Sequence, residues 1–172
     1  EFLEWVKSWN THSELLLSEQ KSAYEGERAP LFSLKVLNTI KETEEGHIFT
    51  LQLQTNKKYT SGDLLAIYPD GKQERLYSIG KVRGQIQLTV KLHGLGSNYL
   101  YHLQKGQQLK ARIISNPSFH IPKETKKVIF ISCGTGIAPF SGMVDQNKNK
   151  ELHIYAGFGH NNDKSKEYSA FF

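Results

Sequence analysis

The apolar pattern of this chain changes once, near residue 120, and that change restricts the fold more than any other feature of the sequence. Between residue 31 and about residue 118, short runs of β-branched and aromatic residues alternate with turn signals such as SGD, PDG and KGQ. After the loop NPSFHIP, the run KVIFIS is continuously apolar, which is typical of a strand buried on both faces. The sequence therefore predicts an antiparallel structure followed by a parallel one.

The first of these regions predicts a six-stranded antiparallel barrel over residues 31–122. Its six runs are LFSLKVLNTI, GHIFTLQLQT, DLLAIYP, RLYSIG, GQIQLTVKLH and QQLKARIIS. Strands of this length and spacing form a closed or nearly closed barrel. One helix, GSNYLYHLQ, interrupts them; Ser97 or Asn98 is its expected N-cap, and it ends at Gly106.

The second region predicts a β-α-β unit over residues 123–172. The strand KVIFIS leads through a glycine turn into the helix APFSGMVDQN and a second strand, ELHIYAGF, and DKSKEYSAFF predicts the start of another helix. Two strands with a helix or two are too few for an independent domain. We therefore expect the beginning of a Rossmann-like α/β domain, with the domain boundary between residues 117 and 126.

Residues 1–30 form a third part, an N-terminal helix and linker. The segment EFLEWVKSWN places Phe2, Trp5, Val6 and Trp9 on one helical face, and the polar stretch KSAYEGERAP follows it. Two tryptophans on so short a stripe predict that this face packs on another surface.

Composition narrows the classes of function. The chain has 172 residues, a formal net charge of +5 and a pI of about 9.2, a balance that suits nucleic acid, acidic protein surfaces or phosphate-bearing cofactors. No run approaches the roughly 20 apolar residues of a bilayer-spanning helix, and no signal peptide is evident. The single cysteine, Cys133, excludes a disulfide framework and is expected to be a small buried strand residue. The seven histidines show no metal-ligand spacing, so no metal site is expected.

Three stretches carry residue types suited to an anionic, aromatic ligand. In RLYSIG, Arg75 and Tyr77 point to one face of a strand, where they can hold a phosphate and cover a flat ring. In GLGSNYL, two glycines and a serine open a helix; in CGTGIAPF, a bare turn joins a parallel strand to a helix. Unpaired amides at helix starts favour anions. Each stretch alone has an ordinary structural explanation, such as a capped helix or a tight turn.

Taken together, RLYS, GLGS and GTGIAPF in this order resemble the ferredoxin–NADP reductase superfamily, and more closely the reductase module of diflavin enzymes such as sulfite reductase flavoprotein and cytochrome P450 reductase. The resemblance runs from about Tyr59 to Gly157, and NPSFHIP is similar to the family's loop between its two domains. It implies an FAD-binding barrel followed by an NADP-binding α/β domain. It also implies an NAD(P)H-dependent flavin reductase that passes electrons to FMN, a haem or an iron centre.

The resemblance implies roles for individual residues. Arg75 would pair with the FAD pyrophosphate, Tyr77 would pack on the isoalloxazine ring, and Ser78 would bond near flavin N5; Tyr77 and Ser78 are thus the candidate catalytic residues. The remaining implied cofactor contacts are Leu76, Thr89, Val90, Lys91 (through its backbone only), Gly94, Leu95, Gly96, Ser97, Gly134, Thr135, Gly136 and Pro139, of which the last four would border NADPH or NADH.

The resemblance also implies partners and a location. The electron acceptor would be a flavodoxin-like FMN domain, in which case residues 1–30 are the end of such a domain, or another acceptor. The alternative is an N-terminal helix that docks on the barrel. The protein would be cytoplasmic or on the cytoplasmic face of a membrane, with a membrane tether an open alternative.

Several departures from the family pattern accompany the resemblance. The stretch SGDLLAIYPDGKQERLYS leaves no room for the helical insert of diflavin enzymes, so this is the compact form, and GFGHNN stands where the family commonly has Gly-x-Arg. The family's 2′-phosphate loop, its catalytic Cys/Asp region and its terminal aromatic residue would lie beyond Phe172. We therefore expect the chain to bind FAD but to turn over NAD(P)H poorly.

One rival hypothesis belongs to a different class. A basic barrel related to the OB-fold could bind single-stranded nucleic acid, with bases stacked on tyrosines of the barrel and its helix. The candidate stacking residues are Tyr68, Tyr77, Tyr99 and Tyr101. The two phosphate cradles at 94–97 and 134–139 favour the reductase hypothesis, because a nucleic-acid barrel does not need them.

Overall fold

The computed structural model describes residues 29–41 and 48–157. The helices predicted for residues 1–20 and for the final stretch lie outside the described residues. The elements of the first region are β1 (Phe32–Lys41), β2 (Ile48–Gln54), β3 (Leu64–Ile67), β4 (Arg75–Ser78), β5 (Gly80–Val82), β6 (Gln85–Lys91), α1 (Leu95–Tyr101) and β7 (Gln108–Ile114). Those of the second region are β8 (Lys127–Cys133), α2 (Ala138–Gln146) and β9 (Glu151–Gly157), with 3₁₀ turns at Pro117–Phe119 and Gly134–Ile137.

The first region forms one antiparallel sheet in the order β4-β3-β7-β1-β2-β6-β5. It has seven strands where the sequence predicted six, because the run RLYSIG is divided. Residues 75–78 pair with β3, whereas Gly80 begins a strand that pairs with β6. The two edge strands are thus separated by Ile79 alone, so the sheet must curl until its edges meet, and the expected antiparallel barrel is confirmed.

Two backbone hydrogen bonds of Ile79 stabilise this closure. Its amide donates to the carbonyl of Asp63 at 2.8 Å, and its carbonyl accepts from the amide of Gly62 at 2.9 Å. Its side chain is fully buried in the barrel core. The chain therefore crosses the barrel seam with both backbone groups satisfied, as a buried backbone requires.

Helix α1 covers one end of the barrel. Leu100 and Leu103 are buried in the barrel core, and Tyr101 meets Phe49 edge to face with ring centroids 5.4 Å apart. The N-cap of α1 is Gly94, with φ of 82°, and not Ser97 or Asn98 as predicted. The helix begins earlier because the glycine readily adopts a left-handed turn that starts it.

The second region is the predicted β-α-β unit. Strands β8 and β9 are parallel, and α2 lies between them in sequence and packs on one face of the pair. Phe130, Ile137, Phe140 and Met143 form its small core. The observed helix, Ala138–Gln146, matches the predicted APFSGMVDQN to within one residue.

The opposite face of β8–β9 corrects one prediction. In the part of the chain that the structure describes, Ile129, Ile131 and Tyr155 on this face are 58%, 76% and 62% exposed. Strand β8 is therefore buried on one face and not on both. Cys133 is also exposed and not the buried residue expected, because it continues the same outward-facing alternation.

The two regions meet along a close seam between α2 and β5. A Cβ at Gly142 would lie 2.1 Å from the amide nitrogen of Lys81, and one at Gly80 would lie 2.5 Å from the carbonyl oxygen of Ala138. Only glycine permits this approach of the two backbones. The Ser61 hydroxyl accepts from the Lys81 amide and donates to the Gln146 side chain, both at 2.9 Å.

Candidate functional site

A cavity of about 360 Å³ lies where the barrel meets the β-α-β unit. Strand β4, strand β6, the loop after β7 and the start of α2 each supply part of its lining. The lining residues are Leu76, Tyr77, Ser78, Leu88, Thr89, Phe119, Thr135, Gly136, Ala138 and Pro139. The RLYS stretch and the GTGIAPF stretch, about 60 positions apart in the sequence, thus face one cavity.

The first turn of α1 lies directly against β4. A Cβ at Gly96 would be 2.7 Å from the hydroxyl oxygen of Tyr77 and 3.1 Å from Cγ of Arg75, so this position requires glycine. The approach places residues 94–97 beside Arg75 and Tyr77, as a shared ligand site would need. Burial raises the pKa of Tyr77, and the charge of Arg75 opposes this to a smaller extent. The phenol therefore remains a hydrogen-bond donor at neutral pH.

The guanidinium of Arg75 is only lightly engaged. It donates to the side-chain oxygen of Gln73 at 2.6 Å and to the carbonyl of Glu74 at 3.1 Å. Among the residues that the structure describes, no carboxylate lies within salt-bridge distance of it. Its charge is therefore available for an anion, to which a guanidinium can bond in a bidentate manner.

The glycine-rich stretch 94–97 is partly committed to its own turn. The Ser97 hydroxyl accepts from the His93 amide at 2.6 Å and donates to the Gly94 carbonyl at 3.2 Å, and it is buried. Its proton and one of its acceptor positions are thus used within the turn, which this hydroxyl shapes. Gly94 and Leu95 are exposed, and a Cβ at Gly94 would meet no atom within 4 Å.

The second glycine turn leaves open space at its first residue. Gly134 has φ of 53°, and a Cβ there would meet no atom within 4 Å. Thr135 and Gly136 line the cavity directly, and Pro139 does so from the first turn of α2. Gly134 itself does not line the cavity.

Two predicted contact residues lie elsewhere. Val90 points into the barrel core at 4% exposure, and Lys91 is an exposed residue at the end of β6. Of this stretch, only Thr89 lines the cavity, together with Leu88, which was not predicted.

Phe119 is the most informative lining residue that the sequence prediction missed. It lies in the loop NPSFHIP, which was interpreted only as a connection between domains. The available signal was one large aromatic residue in the loop NPSFHIP, between the predicted barrel and the strand that leads to the glycine turn.

The nucleic-acid hypothesis receives no support from the tyrosines. Tyr77, Tyr99 and Tyr101 all pack partly against the barrel core. Tyr68 contacts Glu74 and Arg112 through its hydroxyl, with the Arg112 guanidinium carbon 5.2 Å from its ring centroid. The four rings therefore do not form an exposed row on which bases could stack.

The described residues contain neither a cluster of metal ligands nor a long apolar helix. No group of three His, Cys, Asp or Glu side chains within residues 29–41 and 48–157 is arranged to hold a metal ion. Among the same residues, neither helix has the length and apolarity that crossing a membrane requires.

Comparisons with known proteins agree on the class of fold. No family model matches the chain. The chain is 31% identical over 131 residues to the CDP-6-deoxy-L-threo-D-glycero-4-hexulose-3-dehydrase reductase of Yersinia pestis, covering 69% of the chain and 40% of that protein. It is 32% identical over 72 residues to the sulfite reductase (NADPH) flavoprotein alpha-component of Baumannia cicadellinicola, covering 41% of the chain and 12% of that protein.

A solved structure extends the likeness to three dimensions. The ferredoxin NADP+ reductase of Neisseria gonorrhoeae, crystallised with bound FAD and NADP, matches with a TM-score of 0.64 at 16% identity. The match covers 83% of this chain and 64% of that one. The chain thus spans less than half of the Yersinia relative and about two thirds of the Neisseria structure.

Proposed function

This chain belongs to the ferredoxin–NADP reductase superfamily, and from that premise we propose that it is the FAD-binding reductase module of an NAD(P)H-dependent oxidoreductase. In the whole protein, the module takes a hydride from NADPH or NADH and passes electrons to an acceptor. The observation that carries the proposal is the cavity between the two regions. It brings Tyr77 and Ser78 of the barrel opposite Thr135 and Gly136 of the β-α-β unit.

The residues present fit FAD. The unpaired charge of Arg75 suits its pyrophosphate, and Gly96 allows the first turn of α1 to lie beside that charge. The exposed backbone at Gly94 and Leu95 leaves room for a phosphate at the start of α1. Tyr77, half-buried and protonated, offers a flat apolar surface with a donor at its edge. When bound, FAD supplies the hydride-accepting and electron-releasing chemistry.

The residues of the chain contribute positioning. Ser78 and Thr89 line the cavity, where the Ser78 hydroxyl can orient a bound ring by a hydrogen bond. Leu76, Leu88 and Phe119 supply apolar walls that exclude water from the same space. Thr135, Gly136 and Pro139 form the wall that NAD(P)H approaches, and glycine there keeps the side of the cavity bare. Holding two cofactors in contact is worth several orders of magnitude in rate.

The partner of the module is an electron acceptor. We assign a flavodoxin-like FMN domain, a haem or an iron centre to this role, and a cytoplasmic location, free or tethered to the cytoplasmic face of a membrane. The module divides at the loop 117–122 into a barrel, residues 31–122, and a partial NAD(P)-binding part, residues 123–172.

The test of this function is FAD binding by the purified chain. An absorption spectrum with oxidised-flavin bands, and release of FAD on heating, is the expected result. Arg75→Gln should weaken FAD binding roughly 10- to 100-fold, because a charge-assisted contact to the pyrophosphate is lost. Arg83→Gln, an exposed arginine at the turn between β5 and β6, is the matched control and should bind as the wild type does. A chain that remains colourless with excess FAD overturns the proposal.

A further inference from the structure

The loop after β7 is fixed to the barrel by one buried carboxylate. Asp63, only 4% exposed, lies in the turn that precedes β3. Its Oδ1 accepts from Nε2 of His120 at 2.7 Å and from the amide of Asn116 at 3.0 Å. Its Oδ2 accepts from the amide of Thr60 at 2.8 Å. The carboxylate thus holds both ends of the segment 116–120 against the turn 60–63.

The same residue is joined to the strand that carries Ser78. The backbone carbonyl of Asp63 accepts from the amide of Ile79 at 2.8 Å, and Ile79 directly follows Ser78. One residue therefore connects two walls of the cavity, β4 through its backbone and the loop 116–120 through its side chain. A shift of Asp63 would change the distance between these walls.

Phe119 is the residue that this arrangement presents to the cavity. It lies between Asn116 and His120, lines the cavity and is 40% exposed. A Cβ at Gly62 would lie 2.5 Å from the Phe119 carbonyl oxygen, so the loop backbone is held against the turn. The Phe119 ring is 5.9 Å from that of Phe140 at a tilt of 43°, which leaves much of it uncovered. A large ring fixed in a cavity wall with an open face is suited to contact with a flat ligand.

We propose that Phe119 is a flavin-contacting wall of the cavity, and that the hydrogen-bonded Asp63–His120 pair is the positioning device that sets its distance from Ser78. The inference rests on the proposed function, because its ligand is FAD. Phe119 contacts the cofactor directly, whereas Asp63 and His120 act through the loop.

A second histidine–carboxylate pair shows why the first is more than a surface contact. His153 Nε2 lies 2.7 Å from Glu151 Oε1, the same separation as in the Asp63–His120 pair, but the Glu151 side chain is 59% exposed. It joins residues 151 and 153 of one strand, and Glu151 also pairs with Lys127 of the adjacent strand β8 at 2.7 Å, all at exposed side chains. The Asp63 side chain is 6% exposed and links two segments more than 50 residues apart. Removing a partner should matter only at the buried pair.

The experiment compares five forms of the full chain: the wild type, Phe119→Leu, His120→Ala, His120→Gln and the control His153→Ala. For each, FAD affinity is measured by titration, the environment of bound FAD by circular dichroism between 300 and 500 nm at saturation, and folding by thermal unfolding without FAD. Phe119→Leu should change the flavin dichroism and weaken binding by about tenfold, with the melting temperature nearly unchanged. His120→Ala should change the same band, and His120→Gln, which keeps a donor for Asp63, should restore it. His153→Ala should match the wild type.

Each outcome decides the matter. Unchanged dichroism and affinity in Phe119→Leu remove Phe119 from the site. A lower melting temperature in His120→Ala, with the spectrum of bound FAD unaltered, makes the pair merely structural. Failure of His120→Gln to recover the wild-type band contradicts the role of the hydrogen bond. Absence of FAD binding by the wild type overturns the proposed function itself, and the inference with it.

Discussion

The barrel and the β-α-β unit differ in how completely each encloses its own core. Among the described residues, fifteen buried side chains form the barrel core, and α1 covers one barrel end. Among the same residues, the β-α-β unit has four, all on the α2 side of its two strands. This smaller described core makes the β-α-β unit more dependent on the seam at Gly80 and Gly142. The candidate site lies between the two regions, an arrangement suited to the cavity that we propose receives two cofactors.

The largest expected effect is on the free energy of unfolding, when a buried side chain of the barrel and an exposed side chain of the β-α-β unit are each truncated to alanine. Leu51→Ala, in the middle of β2, should lower the free energy of unfolding by about 3 kcal/mol, because a fully buried residue leaves a cavity. Ile131→Ala, in the middle of β8, should change it by less than about 0.5 kcal/mol, because that side chain is 76% exposed. Urea unfolding of both variants measures the difference. Similar losses would mean that the outer face of β8 is covered in solution.

A smaller effect is expected at the seam. Gly142→Ala should destabilise the chain by about 2 kcal/mol, since its methyl group would lie 2.1 Å from the Lys81 amide nitrogen and the backbones must move apart. Gly157→Ala is the control, because the nearest atom to its Cβ would be the Ser132 carbonyl oxygen at 3.9 Å. Thermal unfolding of the two variants tests this. Equal stability would show that the two regions do not depend on their close approach.

These two regions were also unequally predictable from the sequence. The β-α-β order and the bounds of α2 followed from the unbroken apolar runs and the glycine turn, which are local signals. The division of RLYSIG into two strands did not follow, because pairing with β3 or with β6 is a long-range property that residues 75–80 do not encode alone. The exposure of Cys133 also depended on which neighbours cover β8, and the run of apolar residues gave no sign of an uncovered face.

In the candidate site, too, some residues could be predicted from local sequence signals and others could not. Arg75, Tyr77, Ser78 and the glycine turn were predicted because RLYS, GLGS and GTGIAPF in this order resemble the reductase family. Val90 and Lys91 were carried over with Thr89 as a block, whereas only Thr89 of these three lines the cavity. The role of Phe119 depends on the contact of Asp63 with a loop more than 50 residues away.

Hydrogen exchange compares the local stability of the barrel and of the β-α-β unit at single backbone amides. Amides of β8 and β9 should exchange about tenfold faster than those of β2 and β6, because the smaller unit can open while the barrel stays folded. The measurement is native-state exchange followed by NMR or mass spectrometry. Uniform protection across both regions would identify a single cooperative unit.

The smallest effect concerns Cys133, which should react without any loss of stability. As the sole cysteine and an exposed one, it should be modified by a thiol reagent in the folded chain at a rate close to that of the unfolded chain. Cys133→Ser provides the blank. Reaction only after denaturation would indicate that the outer face of β8 is covered.

The crossing at Ile79 also determines where this architecture can accept new sequence. A single residue joins the two edge strands of the sheet. An insertion between Ser78 and Gly80 would therefore break the hydrogen bonds of Ile79 that close the barrel. The exposed turn at residues 70–73 joins β3 to β4, two neighbouring antiparallel strands whose pairing does not depend on the length of their connection. Lengthening such a turn carries only a slowly growing entropic penalty. The turn is therefore a suitable insertion site. A whole domain inserted there, just before the RLYS strand, would leave the barrel closure at Ile79 intact.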